Sequence, residues 1–323
     1  TEYMPGRNRG TWSSRVSFIG NWSYPLCSLI AMELTPLISA EWNWRVQLLI
    51  PAILSLIATA LAWRYFPESP RWLESRGRYQ EAEKVMRSIE EGVIRQTGKP
   101  LPPVVIADDG KAPQAVPYSA LLTGVLLKRV ILGSCVLIAM NVVQYTLINW
   151  LPTIFMTQGI NLKDSIVLNT MSMFGAPFGI FIAMLVMDKI PRKTMGVGLL
   201  ILIAVLGYIY SLQTSMLLIT LIGFFLITFV YMYVCYASAV YVPEIWPTEA
   251  KLRGSGLANA VGRISGIAAP YAVAVLLSSY GVTGVFILLG AVSIIVAIAI
   301  ATIGIETKGV SVESLSIDAV ANK

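Results

Sequence analysis

Tyr241-Val242-Pro243-Glu244-Ile245-Trp246-Pro247-Thr248, followed by Arg253-Gly254, two apolar runs and then Ile305-Glu306-Thr307-Lys308-Gly309, decides how the chain is built. The same elements stand near its start in the same order. Glu2-x-x-Pro5 precedes Arg9-Gly10, two apolar runs follow, and Pro67-Glu68-Ser69 closes the set. Parallel repeats of this kind build membrane proteins from two like halves. In the second copy four further apolar runs precede the Glu-x-x-Pro element; in the first copy none do. The symmetry predicts twelve spans, of which eight are in this sequence and four lie before Thr1, and Thr1 in place of an initiator Met agrees with that expectation.

Composition says the same more coarsely. Of 323 residues, 56% are apolar and 13% charged, against about 25% charged in soluble chains. The sequence predicts spans near 13–35, 44–65, 128–156, 165–187, 195–212, 216–242, 255–278 and 283–304. Each is close to the ~20 residues that cross hydrocarbon. Arg15, Asn21 and Glu33 interrupt the run at 13–35. A hydrophilic stretch separates the second and third runs. It opens on Pro67 and carries Ala82, Val85, Met86 and Ile89 at helical spacing, with Glu83 and Arg87 as an i,i+4 pair. Residues 96–117 hold five prolines and Asp108-Asp109, the composition of an extended linker.

Lys and Arg set the orientation, because cytoplasmic loops retain their excess. Arg45 and Lys163 fall on one side and Arg15 and Arg263 within spans, which leaves twenty on the side holding both termini. That side is read as cytoplasmic, C-terminus included, and the protein as multi-pass in a cell (inner) membrane with the lipid bilayer as its first partner. The net charge of +6 is thereby explained by topology. With no basic, aromatic-interleaved patch, nucleic acid is not an expected partner.

The absence of His removes imidazole-based catalysis and His-ligated zinc. Cys27, Cys135 and Cys235 are widely spaced in apolar runs and read as packed thiols. No acidic cluster suits a metal and no nucleophile motif is present, so neither metal, cofactor nor enzyme activity is expected.

Several of these motifs resemble those of a known family. Pro67-Glu68-Ser69-Pro70-Arg71-Trp72-Leu73, the run Tyr241–Thr248 with Arg253-Gly254, and Glu306-Thr307-Lys308-Gly309 are similar to signatures of the sugar porter division of the major facilitator superfamily. Asp188-Lys189-Ile190-Pro191-Arg192-Lys193 resembles that family's loop between the second and third helices of a half. Pro191 stands where Gly is usual, and Ile305 where Pro is usual, as in a distant branch. Asn149-Trp150-Leu151-Pro152-Thr153-Ile154-Phe155 is more similar to bacterial metabolite and organic-ion transporters, and the paired glutamines of sugar carriers are absent. The resemblance implies an all-α integral membrane protein of the major facilitator fold, with eight of its twelve transmembrane helices present. Residues 1–66 would be the last two helices of the N-terminal half, 67–127 a cytoplasmic linker, 128–305 the C-terminal half and 306–323 a cytoplasmic tail. It also implies transport of a small polar metabolite by alternating access. A receptor that binds without translocating is the alternative, and an integral-membrane enzyme a weaker one.

Charges at cytoplasmic helix ends form one candidate set: Glu2, Arg9, Glu68, Arg71, Asp188, Arg192, Glu244, Arg253 and Glu306. They read as a latch that pairs across the halves in one conformation and releases in another, each pair worth ~1 kcal/mol. The same charges would also serve to hold helix ends in water. A second set is polar at mid-membrane. Asn141, Gln144, Tyr145 and Asn149 fall within an arc of roughly 140° on one helix. Tyr236, one of the series Tyr231, Tyr233, Tyr236 and Tyr241, and Asn259, four residues before Arg263, complete the candidate substrate residues. Interhelical hydrogen bonding would give the same polar face. Arg263 reads as buried and in need of a partner, either a substrate anion or a latch acid. Gly175/Gly179 and Gly262/Gly266 offer bare backbone for close helix packing. Protons are a candidate second partner, but the one intramembrane carboxylate, Glu33, lies near a helix end, so symport and facilitated diffusion are not separated.

Overall fold

A computed structural model describes residues 9–98, 100, 117–247 and 250–308, with the side chains of 9–14, 40, 71, 72 and 75 outside the description. No strand occurs among the described residues. The helices are α1 Arg9–Asn21, α2 Ser23–Leu34, α3 Ala40–Tyr65, α4 Pro70–Ser75, α5 Tyr79–Thr97, α6 Tyr118–Leu121, α7 Gly124–Thr157, α8 Leu162–Met173, α9 Gly175–Val186, α10 Arg192–Ser211, α11 Met216–Val234, a π-helical turn Cys235–Tyr241, α12 Val242–Glu244 and α13 Lys251–Ile303.

Among the described residues six helical stretches are long and apolar enough to cross a membrane, where the sequence predicted eight. Two local causes account for the difference. Residues 13–35 fall on α1 and α2, of 13 and 12 residues, and neither alone reaches across ~30 Å of hydrocarbon. Pro25 in the first turn of α2 lacks the N–H that would bond Asn21, so the helix breaks at Trp22. The last two expected runs both lie within α13, whose 53 residues would measure about 80 Å if straight. Gly281, at φ 66° and ψ −161°, interrupts it in a conformation that an L side chain resists. The part before Gly281 packs on α7 through Gly262, and the part after it on α10, where Phe286 meets Gly207.

The chain divides into two compact units. One contains α3, α4 and α5. Here α3, at 26 residues, is long and apolar enough to cross a membrane. α4 and α5 pack through Leu73 and Ala82, both nearly fully buried. Arg78 pairs with Glu81 and Arg87 with Glu83 on the exposed face.

The other unit contains residues 14–37 and everything from α6 onward. Its core lies among α7, α10, α11 and α13, with Tyr231, Tyr233, Tyr236, Tyr241, Phe155, Phe286 and Trp246 as the largest fully buried side chains. The glycine pairs permit close approach. A Cβ at Gly179 would lie 2.2 Å from the Thr228 carbonyl oxygen, so α9 and α11 meet backbone to backbone. α2 docks on the same unit: Tyr24 stands edge-on to Tyr231 with ring centroids 5.1 Å apart, and Asn169 Nδ2 on α8 donates to Ser28 Oγ at 3.5 Å.

Candidate functional site

The polar face of α7 meets the first part of α13 along a seam of small residues. A Cβ at Gly262 would come within 2.8 Å of Leu137 Cβ and 2.9 Å of Asn141 Nδ2. Tyr145 lies over Gly266, whose Cβ would be 3.2 Å from its ring. On α13, Gly262, Gly266, Asn259 and Arg263 span roughly 100° of the helix, so the seam and the polar pair are neighbours. Arg263 Nη1 donates to the Tyr145 hydroxyl, tying the two helices together.

Accessibility divides the expected substrate residues. Asn149 and Asn259 are exposed, Gln144 and Tyr145 half-buried, and Asn141 is buried. Asn141 Nδ2 donates to the Leu137 carbonyl at 2.7 Å, while its buried Oδ1 has no hydrogen-bond partner among the described residues. Asn259 Nδ2 donates to the Ser255 carbonyl at 2.9 Å. Arg263 differs from its expectation: it is exposed, because Gly262 and Gly266 take the buried side of the helix. Tyr236 is not on this face. It stacks on Tyr241 with centroids 5.0 Å apart, and its hydroxyl abuts Gly196 on α10 inside the core.

Three polar residues escaped the sequence reading. Tyr24, Ser28 and Asn169 gather with Tyr231 where α2 meets α8 and α11, with Gln144 and Tyr24 facing the Tyr231 hydroxyl. Nothing in periodicity joins residues so distant in sequence. Only the α2–α8 contact does.

At the opposite end of α10 the charged residues converge. Arg192, with 7% of its side chain exposed, donates from Nε to Glu244 Oε2 at 3.1 Å and from Nη2 to Glu244 Oε1 at 3.2 Å. Nη2 also donates to Asp188 Oδ1 at 3.1 Å, and Nη1 to the Met187 carbonyl. Glu306 caps α10, accepting from the backbone N–H of Arg192 at 2.8 Å and of Lys193 at 3.2 Å. Desolvation pushes the Glu306 pKa up, but these N–H donors, that of Lys308 and the Arg192 charge outweigh it, so the carboxyl titrates below its usual range. Thr307 Oγ1 donates to Glu244 Oε2 at 2.6 Å. Tyr241 locks the segment by donating to the Ile305 carbonyl at 3.1 Å and accepting from its N–H at 3.0 Å.

Asp188, Arg192, Glu244 and Glu306 are thus brought together, all within one unit. Arg253 places its guanidinium 5.3 Å from the centroid of the Tyr118 ring. Glu68 belongs to the other unit. Glu2 lies outside the described residues, as do the side chains of Arg9 and Arg71.

Set beside known proteins, this arrangement has a clear place. The Major Facilitator Superfamily profile matches residues 1–270. The chain belongs to the Major Facilitator Superfamily. Over 98% of its length it is 44% identical to the Inner membrane metabolite transport protein YdjE of Escherichia coli (strain K12), covering 70% of that protein. It is 29% identical to the Putative metabolite transport protein YyaJ of Bacillus subtilis (strain 168), over 90% of the chain and 63% of that relative. Its fold is similar to the xylose transporter XylE from E. coli in a partially occluded inward-open conformation, with a TM-score of 0.70 at 18% identity, over 96% of this chain and 66% of that one. The protein is accordingly a multi-pass membrane transporter of small molecules and not an enzyme.

Proposed function

We propose that this major facilitator protein carries a small polar metabolite across a bacterial inner membrane by alternating access, with Asn149, Asn259, Tyr145, Gln144 and Asn141 forming one wall of the substrate cavity. The observation that supports this reading is the exposed Arg263, hydrogen-bonded to Tyr145. Arg263 stands about 15 Å beyond Arg253 along α13, well inside hydrocarbon ~30 Å thick. A charged side chain at that depth is costly against lipid and belongs in a watered cavity.

We assign residues 1–66 to one half, 67–127 to the connecting linker and 128–305 to the other half, with 306–323 a tail on the cytoplasmic side. The Arg192 cluster and the charges Glu2, Arg9, Glu68, Arg71 and Arg253 form the cytoplasmic gate in this reading. Counterflow of labelled solutes in proteoliposomes tests it, run with and without a pH gradient so that symport and uniport separate. Saturable uptake supports the carrier reading. Saturable binding without uptake in any condition would replace it with the receptor reading.

A further inference from the structure

Arg263 has no carboxylate available on the helices that frame it. α7, on which this part of α13 packs, and all of α13 contain no Asp or Glu, from Gly124 to Thr157 and from Lys251 to Ile303. Among the described residues its hydrogen-bond partner is a neutral phenol, which takes Nη1. The edge formed by Nε and Nη2 is left over, and that edge is the fork that matches a carboxylate bidentately.

We propose that Arg263 is the anion-recognition group of the transport site and that the carried metabolite is a small organic carboxylate. This rests on the carrier reading given above. Tyr145 positions the guanidinium by accepting from Nη1, and its own O–H is then free to donate to the bound carboxylate. Asn259, one turn earlier on α13, and Asn149, one turn further along α7 from Tyr145, are exposed and supply donors and acceptors for the rest of the molecule. A neutral sugar leaves the guanidinium charge uncompensated when the cavity closes, and an organic cation is repelled by it. Charge pairing at this site selects against both.

The test has two arms. In the first, Cys27, Cys135 and Cys235 are replaced by Ser and Asn259→Cys is introduced as a reporter. Labelling by an anionic methanethiosulfonate should outpace labelling by a cationic one relative to free cysteine, and Arg263→Gln should cut that bias about tenfold. In the second arm, nicotinate should bind the purified protein while its neutral isostere nicotinamide does not, a difference of about tenfold or more that Arg263→Gln erases. Arg263→Lys keeps the charge and loses the fork, so it should retain the labelling bias and weaken nicotinate binding, which also covers the case in which Arg263→Gln fails to fold. Equal labelling by both reagents in the parent, or equal binding of nicotinate and nicotinamide, overturns the proposal. Counterflow of xylose or tetraethylammonium with no labelling bias overturns it while leaving the carrier reading standing. A bias intact in a protein that takes up none of the probes supports the anion site and counts against the carrier reading instead.

Discussion

Two arginines of the same unit live under opposite rules. Arg192 is buried and makes four hydrogen bonds, with Nε, Nη1 and Nη2 all engaged and two carboxylates within hydrogen-bond reach. Arg263 is exposed and, among the described residues, has one hydrogen-bond partner, the Tyr145 phenol. A buried cation needs its full shell, because desolvation costs several kcal/mol and only internal acceptors return it. An exposed one in a cavity can leave part of its shell for a guest. The first pattern holds the fold together, and the second, in the cavity proposed above, would leave the guanidinium free to read a ligand.

The largest effect that would break this comparison is at Glu244. Glu244→Ala removes two acceptors from Arg192 and strands a buried charge, so stability should fall by about 3 kcal/mol. Thermal melting in detergent reads it out. Thr307→Ala, which removes a neutral donor to the same carboxylate, should cost about 1 kcal/mol. A melting temperature unchanged by Glu244→Ala would mean that the cluster is a loosely held latch and that Asp188 alone satisfies Arg192.

At the other arginine the corresponding test is steric. Gly262→Ala places a methyl 2.8 Å from Leu137 Cβ and 2.9 Å from Asn141 Nδ2, contacts that force α13 away from α7. About 2 kcal/mol of destabilisation is expected, together with loss of substrate binding as Arg263 is carried away from Tyr145. Gly256→Ala, on the same helix with nothing within 4 Å of its Cβ, is the control and should change stability by less than about 0.5 kcal/mol.

How far the sequence reached follows the same division. Most of the spans and the glycine pairs are legible because hydrocarbon imposes length and apolarity, and close backbone packing demands missing side chains. The polar face of α7 is legible because helical periodicity alone collects Asn141, Gln144, Tyr145 and Asn149. Tyr236 was misplaced because a tyrosine carries no sign of whether its ring faces core or cavity, and here Gly196 makes room for its hydroxyl inside. The break at Trp22 was legible in principle from Pro25 and from the interruption at Asn21, but the apolar residues on both sides read as one run. The charge motifs were visible, while their partners were not: that Glu244, Asp188 and Glu306 converge on the start of α10 depends on three segments meeting in space. The α2–α8 contact that gathers Tyr24, Ser28, Asn169 and Tyr231 is tertiary in the same sense.

A finer test separates position from stability. Tyr145→Phe deletes the hydroxyl that accepts from Arg263 but keeps the ring over Gly266. Stability should hold within about 0.5 kcal/mol, while nicotinate binding should weaken by about fivefold, roughly the worth of one hydrogen bond. Unchanged binding with unchanged stability would show that the guanidinium is positioned without the phenol.

The smallest effect sharpens the Arg192 side through pH. Glu306 has its carboxyl pKa held below the usual value in the folded protein, since three backbone N–H groups and Arg192 favour its charged form over the opposing effect of burial. A group with a depressed folded pKa binds protons more readily when unfolded, so its stabilising contribution is present above the ordinary carboxylate value near ~4.3 and disappears as pH falls through the lower folded value. The contribution is that of an anion at a helix N-terminus, about 0.3–1 kcal/mol. Glu306→Gln should therefore lower the melting temperature slightly at neutral pH, and the gap between variant and parent should close on acidification. A gap that stayed constant down to acid pH would assign the effect to lost hydrogen-bond geometry, and the charge of Glu306 would then have no part in holding the end of α10 against the segment that follows α13.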